Sequence, residues 1–260
     1  MINIRNAEEI ELLRQSNLLV SKTLAVVAEF IKPGVTTEYL DAKAEEYIRS
    51  NNGIPGFLGY NKYPKTLCTS INSQVVHGIP SKMELKEGDI VSIDCGVIMN
   101  GYYGDTAYTF AVGEISEQVH KLLKVTKASL FKGIEEAVDA KRVGDIGFAV
   151  QSFCEAEGYS VVREMVGHGL GAHLHEAPEV PNYGKRGTGP LLKQGMVICI
   201  EPMINMGGKK IYQENDGWAV RTADNKPSAH FELAVAIDKD KADILSTFSY
   251  IEKVLGNKDF

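Results

Sequence analysis

Two stretches of this chain are written on one pattern. "LKEGDIVSID" runs from Leu85 to Asp94, and "LKQGMVICIE" runs from Leu192 to Glu201, at an offset of 107. Leu, Lys, Gly and Ile fall in register, and a carboxylate closes each stretch. At an offset of 108, "KPGVTTEYLDAKAEEYIRSNNG" loosely matches "AKRVGDIGFAVQSFCEAEGYS". Two matches at nearly one offset point to a duplicated unit, a helical segment followed by an acid-tipped strand, filling about half the chain each. No low-complexity linker separates the copies. The expectation is one α+β domain over residues 1–260, with pseudo-symmetric halves of roughly 1–113 and 114–260.

Periodicity fills in the unit. Residues 7–31 carry Ile10, Leu13, Leu18, Leu24, Val27 and Phe30 near helical spacing. "KPGVTT" breaks that helix, and Thr36 or Thr37 caps a second one, "TEYLDAKAEEYIRS". Residues 116–138 and 145–158 read as helices of the second copy. "EGDIVSIDCGVIMNGYYGDTAYTFAVG" reads as a β-hairpin turning at Asn100-Gly101. "GMVICIEPMI" and "HFELAVAI" read as two further strands.

Charge and composition narrow the partners. The net charge of -6 and the lack of a dense Lys/Arg run argue against nucleic acid. No apolar run approaches the roughly 20 residues of a membrane span. "MINIRNAEEIELLRQ" is too charged for a signal peptide, so a cytosolic protein is expected. Cys68, Cys95, Cys154 and Cys199 are widely spaced with no CxxC pair, which excludes a cysteine zinc finger and makes disulfides unexpected. Each reads as a small buried apolar residue, Cys68 excepted.

The chemistry lies in acids and histidines. Asp94 and Glu201 end apolar strands at positions that should carry apolar residues. Each half adds a second acid on a later strand, Asp105 in "YYGDTAYTF" and Glu232 in "AHFELAVAI". A single strand-end acid is usually a turn or capping residue. Four acids brought to a pseudo-twofold axis would instead repel strongly unless neutralised. Two divalent cations balance four carboxylates, and oxygen-rich ligation with imidazole suits manganese, iron(II), cobalt or zinc. "GHGLGAHLHEAPEVPNY" places His168, His173 and His175, three of the chain's six histidines, among glycines that permit close approach.

At these residues the sequence resembles the methionine aminopeptidases, of the shorter type I kind, over nearly its whole length. "MVGHGLGAHLHEAPEVPNY" carries the resemblance most specifically, and "SINSQVVHGIP", "IDCGVIMNGYYGDTAYTF", "IEPMI" and "HFELAVAI" follow the family in order and spacing. The resemblance implies the pita-bread α+β fold and metal ligands at Asp94, Asp105, His168, Glu201 and Glu232, with Asp105 and Glu232 bridging two metals. Asp94 would complete one site, and His168 with Glu201 the other. His77 and His175 match the family histidines that contact substrate. His173 and His120 read as solvent-facing, and His230 as a possible neighbour of the ligands but not one of them.

The implied reaction is hydrolysis by water activated between two cations. Glu201 would shuttle the proton, His175 would steady the oxyanion, and His77 would contact the scissile amide. A methionine slot maps to Phe57, Tyr60, Tyr63, Cys68, Leu174 and Trp218, of which Phe57 and Leu174 vary in the family. Leu233 replaces a His that many relatives carry beside Glu232. The implied substrates are N-termini of nascent polypeptides with a small second residue, met through transient ribosome association by a monomer that binds neither membrane nor specific nucleic acid. Met1-Ile2 predicts that the chain keeps its own methionine. Two other readings compete. Prolidases and aminopeptidase P usually carry an additional N-terminal domain, and a binding-only relative would typically have lost ligands.

Overall fold

The computed structural model describes residues 2–256, and the expectation about Met1 lies outside them. The first helix, α1 (Ala7–Ala28), begins with a capping box: the Asn6 side chain accepts from the Glu9 amide, and Glu9 accepts in return from the Asn6 N–H. It ends before the expected residue 31, because Glu29 and Phe30 turn back onto the carbonyls of Val26 and Val27 ahead of Pro33. Thr36 caps α2 (Thr37–Ser50) by accepting from the Tyr39 amide.

Three strands follow: β1 (Leu67–Ile71), β2 (Ile90–Met99) and β3 (Tyr102–Ala111). β2 and β3 pair over their full length around Asn100-Gly101. Both turn residues have positive φ, 54° and 79°, which suits the right-handed twist of the hairpin. β1 lies on the other edge of β2. The second half repeats the plan with α3 (Glu117–Glu135), α4 (Val143–Ala156), β4 (Gly167–Gly169) and β5 (Glu176–Val180). It continues with β6 (Val197–Ile200), β7 (Met203–Asn205), β8 (Ser228–His230) and β9 (Leu233–Ala236). Neighbours run β3-β2-β1 in one sheet and β9-β6-β4 in the other, so the same strand order appears twice. α1 packs on β2 and β3, and α3 packs on β6, β7 and β8.

The two later strands differ from the sequence reading. "GMVICIEPMI" is two strands, β6 and β7, and "HFELAVAI" straddles β8 and β9. Ile200 faces Leu233 and Met203 faces His230, so both pairs keep one register. The interruption falls between them, at Glu201-Pro202 and Phe231-Glu232. Pro202 has no N–H to give the ladder. The Glu232 N–H goes instead to the carbonyl of Ala107 on β3, at 2.9 Å. That bond joins the second half to the first at the acids themselves.

Strand alternation divides the sheets into two faces. Val91, Ile93, Cys95 and Val97 of β2 are buried in the large helix-side core, along with Ile198, Ile200, Leu233 and Val235. Ser92 and Asp94, and on the partner half Cys199, Glu201 and Glu232, have the opposite parity and face away from it. Carrying the 107-residue offset through the register pairs Asp94 with Glu201, but Asp105 with His230 and Ala107 with Glu232. The symmetry of the acids is therefore exact in one pair and displaced by two residues in the other.

Candidate metal centre

The site is built where the broken ladder of the second half meets the hairpin of the first. Asp105, Glu232, Glu201 and His168 are all buried, Glu232 to 1% exposure, and Asp94 is half-buried. His168 Nε2 lies 3.7 Å from Asp105 Oδ2 and 3.6 Å from Glu201 Oε1. His230 Nε2 lies 3.4 Å from Glu201 Oε2. Donor atoms of Asp105, His168, Cys199 and Glu232 fall within 4.8 Å of one another, as do those of Glu201, His230 and Glu232. Glu232 belongs to both groups. Asp94 lines the same cavity, close enough for its charge to raise Asp105.

The glycines beside His168 are required by backbone, not by ligand. A Cβ on Gly167 would stand 2.3 Å from the Cys199 carbonyl, and one on Gly169 would stand 2.4 Å from the Ala177 carbonyl. Only glycine lets β4 lie between its neighbours at that distance. His168 Nδ1 is 2.9 Å from the Gly169 carbonyl, which can only accept, so Nδ1 carries the proton. The lone pair of Nε2 is thereby left facing Asp105 and Glu201, the tautomer a metal ligand needs.

Several facts fit this cluster to cations. Asp94 Oδ1, Asp105 Oδ1, Glu232 Oε1 and His230 Nε2 are buried with no hydrogen-bond partner. Orphaned carboxylate oxygens are costly in a protein interior unless something positive reaches them. Among the described residues no Lys or Arg lines the cavity. Burial first, then the neighbouring carboxylates, pushes Asp105, Glu201 and Glu232 well above the usual range. Burial raises Asp94 to about 6. Burial holds His168 down at about 3, with His175 adding to the effect, so imidazolium cannot supply the missing charge. The donors are oxygen and imidazole nitrogen, the set that holds manganese, iron(II), cobalt or zinc.

The same cavity, of about 340 Å³, contains every residue singled out for substrate. Phe57, Tyr63, Cys68 and Leu174 are buried in its wall, and Trp218 packs edge-on to Tyr63 with centroids 5.0 Å apart. The Tyr63 hydroxyl donates to the carbonyl of Leu67 and approaches that of Gly78, which fixes the ring. His77 has φ of 60°, and burial, aided by His230 and His175, lowers it to about 4. His175 stands at the rim, its Nδ1 2.8 Å from the Tyr60 hydroxyl. His173 and His120 are exposed, as expected.

Sequence reasoning placed one residue of the centre only beside the ligands and missed another. His230 faces Glu201 directly, and its place as the symmetry partner of Asp105 becomes visible only once the strand register is known. Cys199 sits among the donors although it reads as a small core residue. Its position two residues before Glu201 was the available signal, because both then point to the same face. Asn61, Val76, Glu164, Met165, Val166 and Met203 also line the cavity without having been foreseen.

The model of metallopeptidase family M24 matches residues 11–239. A protein of Clostridium acetobutylicum named methionine aminopeptidase is 51% identical over 247 residues, which are 95% of this chain and 99% of that protein. The crystal structure of methionine aminopeptidase from Rickettsia prowazekii is similar with a TM-score of 0.94 at 42% identity, covering 95% of this chain and all of that one. Prolidase from Pyrococcus furiosus shares the fold alone, with a TM-score of 0.73 at 24% identity over 94% of this chain and 65% of that one.

Proposed function

Since the chain belongs to metallopeptidase family M24 and within it to the methionine aminopeptidases, with their α+β pita-bread fold, we propose that it removes N-terminal methionine from polypeptides whose second residue is small. The observation that carries this reading is the set of buried, unpartnered carboxylate oxygens beside the His168 lone pair, on the floor of an aromatic-walled cavity.

Asp94, Asp105, His168, Glu201 and Glu232 would hold two divalent cations, of manganese, iron(II), cobalt or zinc. Glu232 belongs to both groups of converging donors, and Asp105 stands 3.7 Å from His168 Nε2. When bound, such cations polarise a carbonyl and acidify water so that hydroxide is available near neutral pH.

The protein groups do the rest. Glu201, buried and with its pKa raised, takes the proton of the attacking water and returns it to the leaving amine. His175 donates to the carbonyl oxygen as negative charge develops there. His77 holds the scissile amide. The α-amine lies at the Asp94 end, which restricts cleavage to a chain terminus. Phe57, Tyr60, Tyr63, Cys68, Leu174 and Trp218 enclose the methionine side chain, whose thioether gains from aromatic edges. The chain works as a single catalytic unit and a monomer in the cytosol, with transient access to ribosomes. Among the described residues no helix is long and apolar enough to cross a membrane.

Chelated protein, remetallated with manganese, cobalt or iron(II), is expected to release methionine from Met-Ala-Ser and to leave an X-Pro peptide intact. Metal analysis of protein purified anaerobically should return two cations per chain. Cleavage of the X-Pro peptide alone would move the assignment to the prolidases, and inactivity with all three metals would leave only a binding role.

A further inference from the structure

The segment from Gly59 to Tyr63 is the most strained part of the cavity wall. Gly59, Asn61 and Lys62 all have positive φ, at 86°, 46° and 71°. Asn61 and Lys62 carry side chains, so that conformation costs energy and persists only where the surroundings hold it. The turn is tied by its own bonds, from the Gly59 N–H to the Tyr63 carbonyl at 2.8 Å and from the Tyr63 N–H to the Tyr60 carbonyl at 2.8 Å. Its outcome is the placement of one group, the Tyr60 hydroxyl, at 2.8 Å from His175 Nδ1. The rings meet edge to face, with centroids 5.3 Å apart.

The direction of that bond decides what His175 can do. A neutral imidazole has one N–H and one lone pair. If Nδ1 donated to Tyr60, Nε2 would be a bare acceptor and would repel an oxyanion. If Tyr60 donates to Nδ1, the proton lies on Nε2. Chemistry selects between them. A phenol O–H is a stronger donor than an imidazole N–H, and a bare imidazole nitrogen is a stronger acceptor than a phenol oxygen. His175 Nδ1 is the one acceptor the Tyr60 hydroxyl reaches among the described residues, so the hydroxyl gives its proton there. Among the described residues the His175 ring makes no other hydrogen bond, and its other face meets His168 edge-on at 4.4 Å.

We propose that Tyr60, held by its strained turn, is a positioning residue that locks His175 as the Nε2–H tautomer and fixes the rotation of its ring. The pocket tyrosine thus has a second task besides lining the methionine slot: it keeps a neutral donor aimed at the reacting carbonyl. This rests on the aminopeptidase reading for its catalytic consequence, but not for the tautomer.

The test is 15N NMR of the imidazoles in zinc-loaded protein, with His175 assigned through H175Q. Wild-type protein is expected to carry the proton on Nε2, with a bare Nδ1 shifted by hydrogen bonding. In Y60F the Nδ1 resonance moves to the unbonded range, and kcat on Met-Ala-Ser falls roughly tenfold with KM little changed, the size of one lost hydrogen bond in the transition state. Y63F, which removes a different buried hydroxyl of the same wall, leaves Nδ1 of His175 unmoved. A proton on Nδ1 in the wild type overturns the proposal even if no variant folds. So does an unmoved Nδ1 in Y60F, or an unchanged kcat beside a moved one. Wild-type protein that shows the expected tautomer yet releases no methionine sinks the aminopeptidase reading instead.

Discussion

At the scale of single residues, the acids announce themselves because each follows an apolar run at a position where a buried strand should carry another apolar residue. Asp94 and Glu201 are legible for that reason, and the glycine-flanked His168 nearly so. Cys199 is not, since a cysteine in "MVICIEPMI" reads as another apolar residue. Its fully buried sulfur lies within 4.8 Å of donor atoms of Asp105, His168 and Glu232. C199A removes both a buried volume and a thiol proton beside Glu232, and is expected to lower the stability of metal-loaded protein by about 1–2 kcal/mol. C199S, which keeps a donor, should lose less of it, and denaturant melts of both variants decide the point. Equal losses would mean that the thiol acts by volume alone. Glu201→Gln keeps the shape of the side chain but cannot take a proton. It is expected to cut kcat by about a hundredfold or more, while tryptophan fluorescence and the melting curve report an intact fold.

At the scale of elements, Asn100-Gly101 gave the hairpin away because few dipeptides accept two positive φ values in succession. The later strands were harder to read. Period-2 patterning runs straight through Glu201-Pro202 and Phe231-Glu232, and nothing local says that the Glu232 amide leaves its ladder for β3. A contact equally hidden from the sequence ties down the loop that carries Leu174 and His175. Arg5 Nη2 bonds Glu176 at 2.8 and 2.6 Å, Asn3 Nδ2 adds a bond of 2.6 Å, and Ile2 bridges Ala177. Side-chain exposure is only 11% for Arg5 and 6% for Glu176. Removing one partner of such a pair leaves the other charge buried without compensation. R5A is expected to cost about 3 kcal/mol and to raise KM, because the rim residues lose their strap. Limited proteolysis should then nick the chain within residues 171–177. R5K should recover part of the stability, since lysine restores the charge but not the fork. An R5A variant with unchanged melting would show the strap to be ornamental.

At the scale of the whole molecule, folding gathers four carboxylates into one centre lined, among the described residues, by no Lys or Arg. Its pH dependence follows from linkage. Burial and the neighbouring carboxylates raise Asp105, Glu201 and Glu232 well above their usual range, so each keeps its proton to higher pH than in an unfolded chain, which gives it up above about pH 4.3. A raised folded pKa contributes stability that is lost as pH rises toward and through it. His77 and His168, held down to about 4 and 3, act in the opposite sense, but only below about pH 6.5, where the unfolded imidazoles protonate. Asp94, at about 6, has finished titrating by neutrality. Between pH 7 and 8 the raised acids therefore stand nearly alone, and metal-free protein should lose stability with rising pH, by up to about 1.4 kcal/mol per unit for each proton still held. Cations that take the place of those protons remove the dependence, and their binding should release protons to the buffer. At a hundredfold excess over its dissociation constant, manganese adds about 2.7 kcal/mol per site, or roughly 5–10 °C. The gain should be larger at pH 8 than at pH 7. Calorimetry in buffers of different ionisation enthalpy counts the released protons, and thermal melts at the two pH values give the gain. A metal-free melting temperature that climbs across this interval would mean that the acids are not buried together as described, because carboxyls with raised folded pKa can only lose stability as pH rises through it.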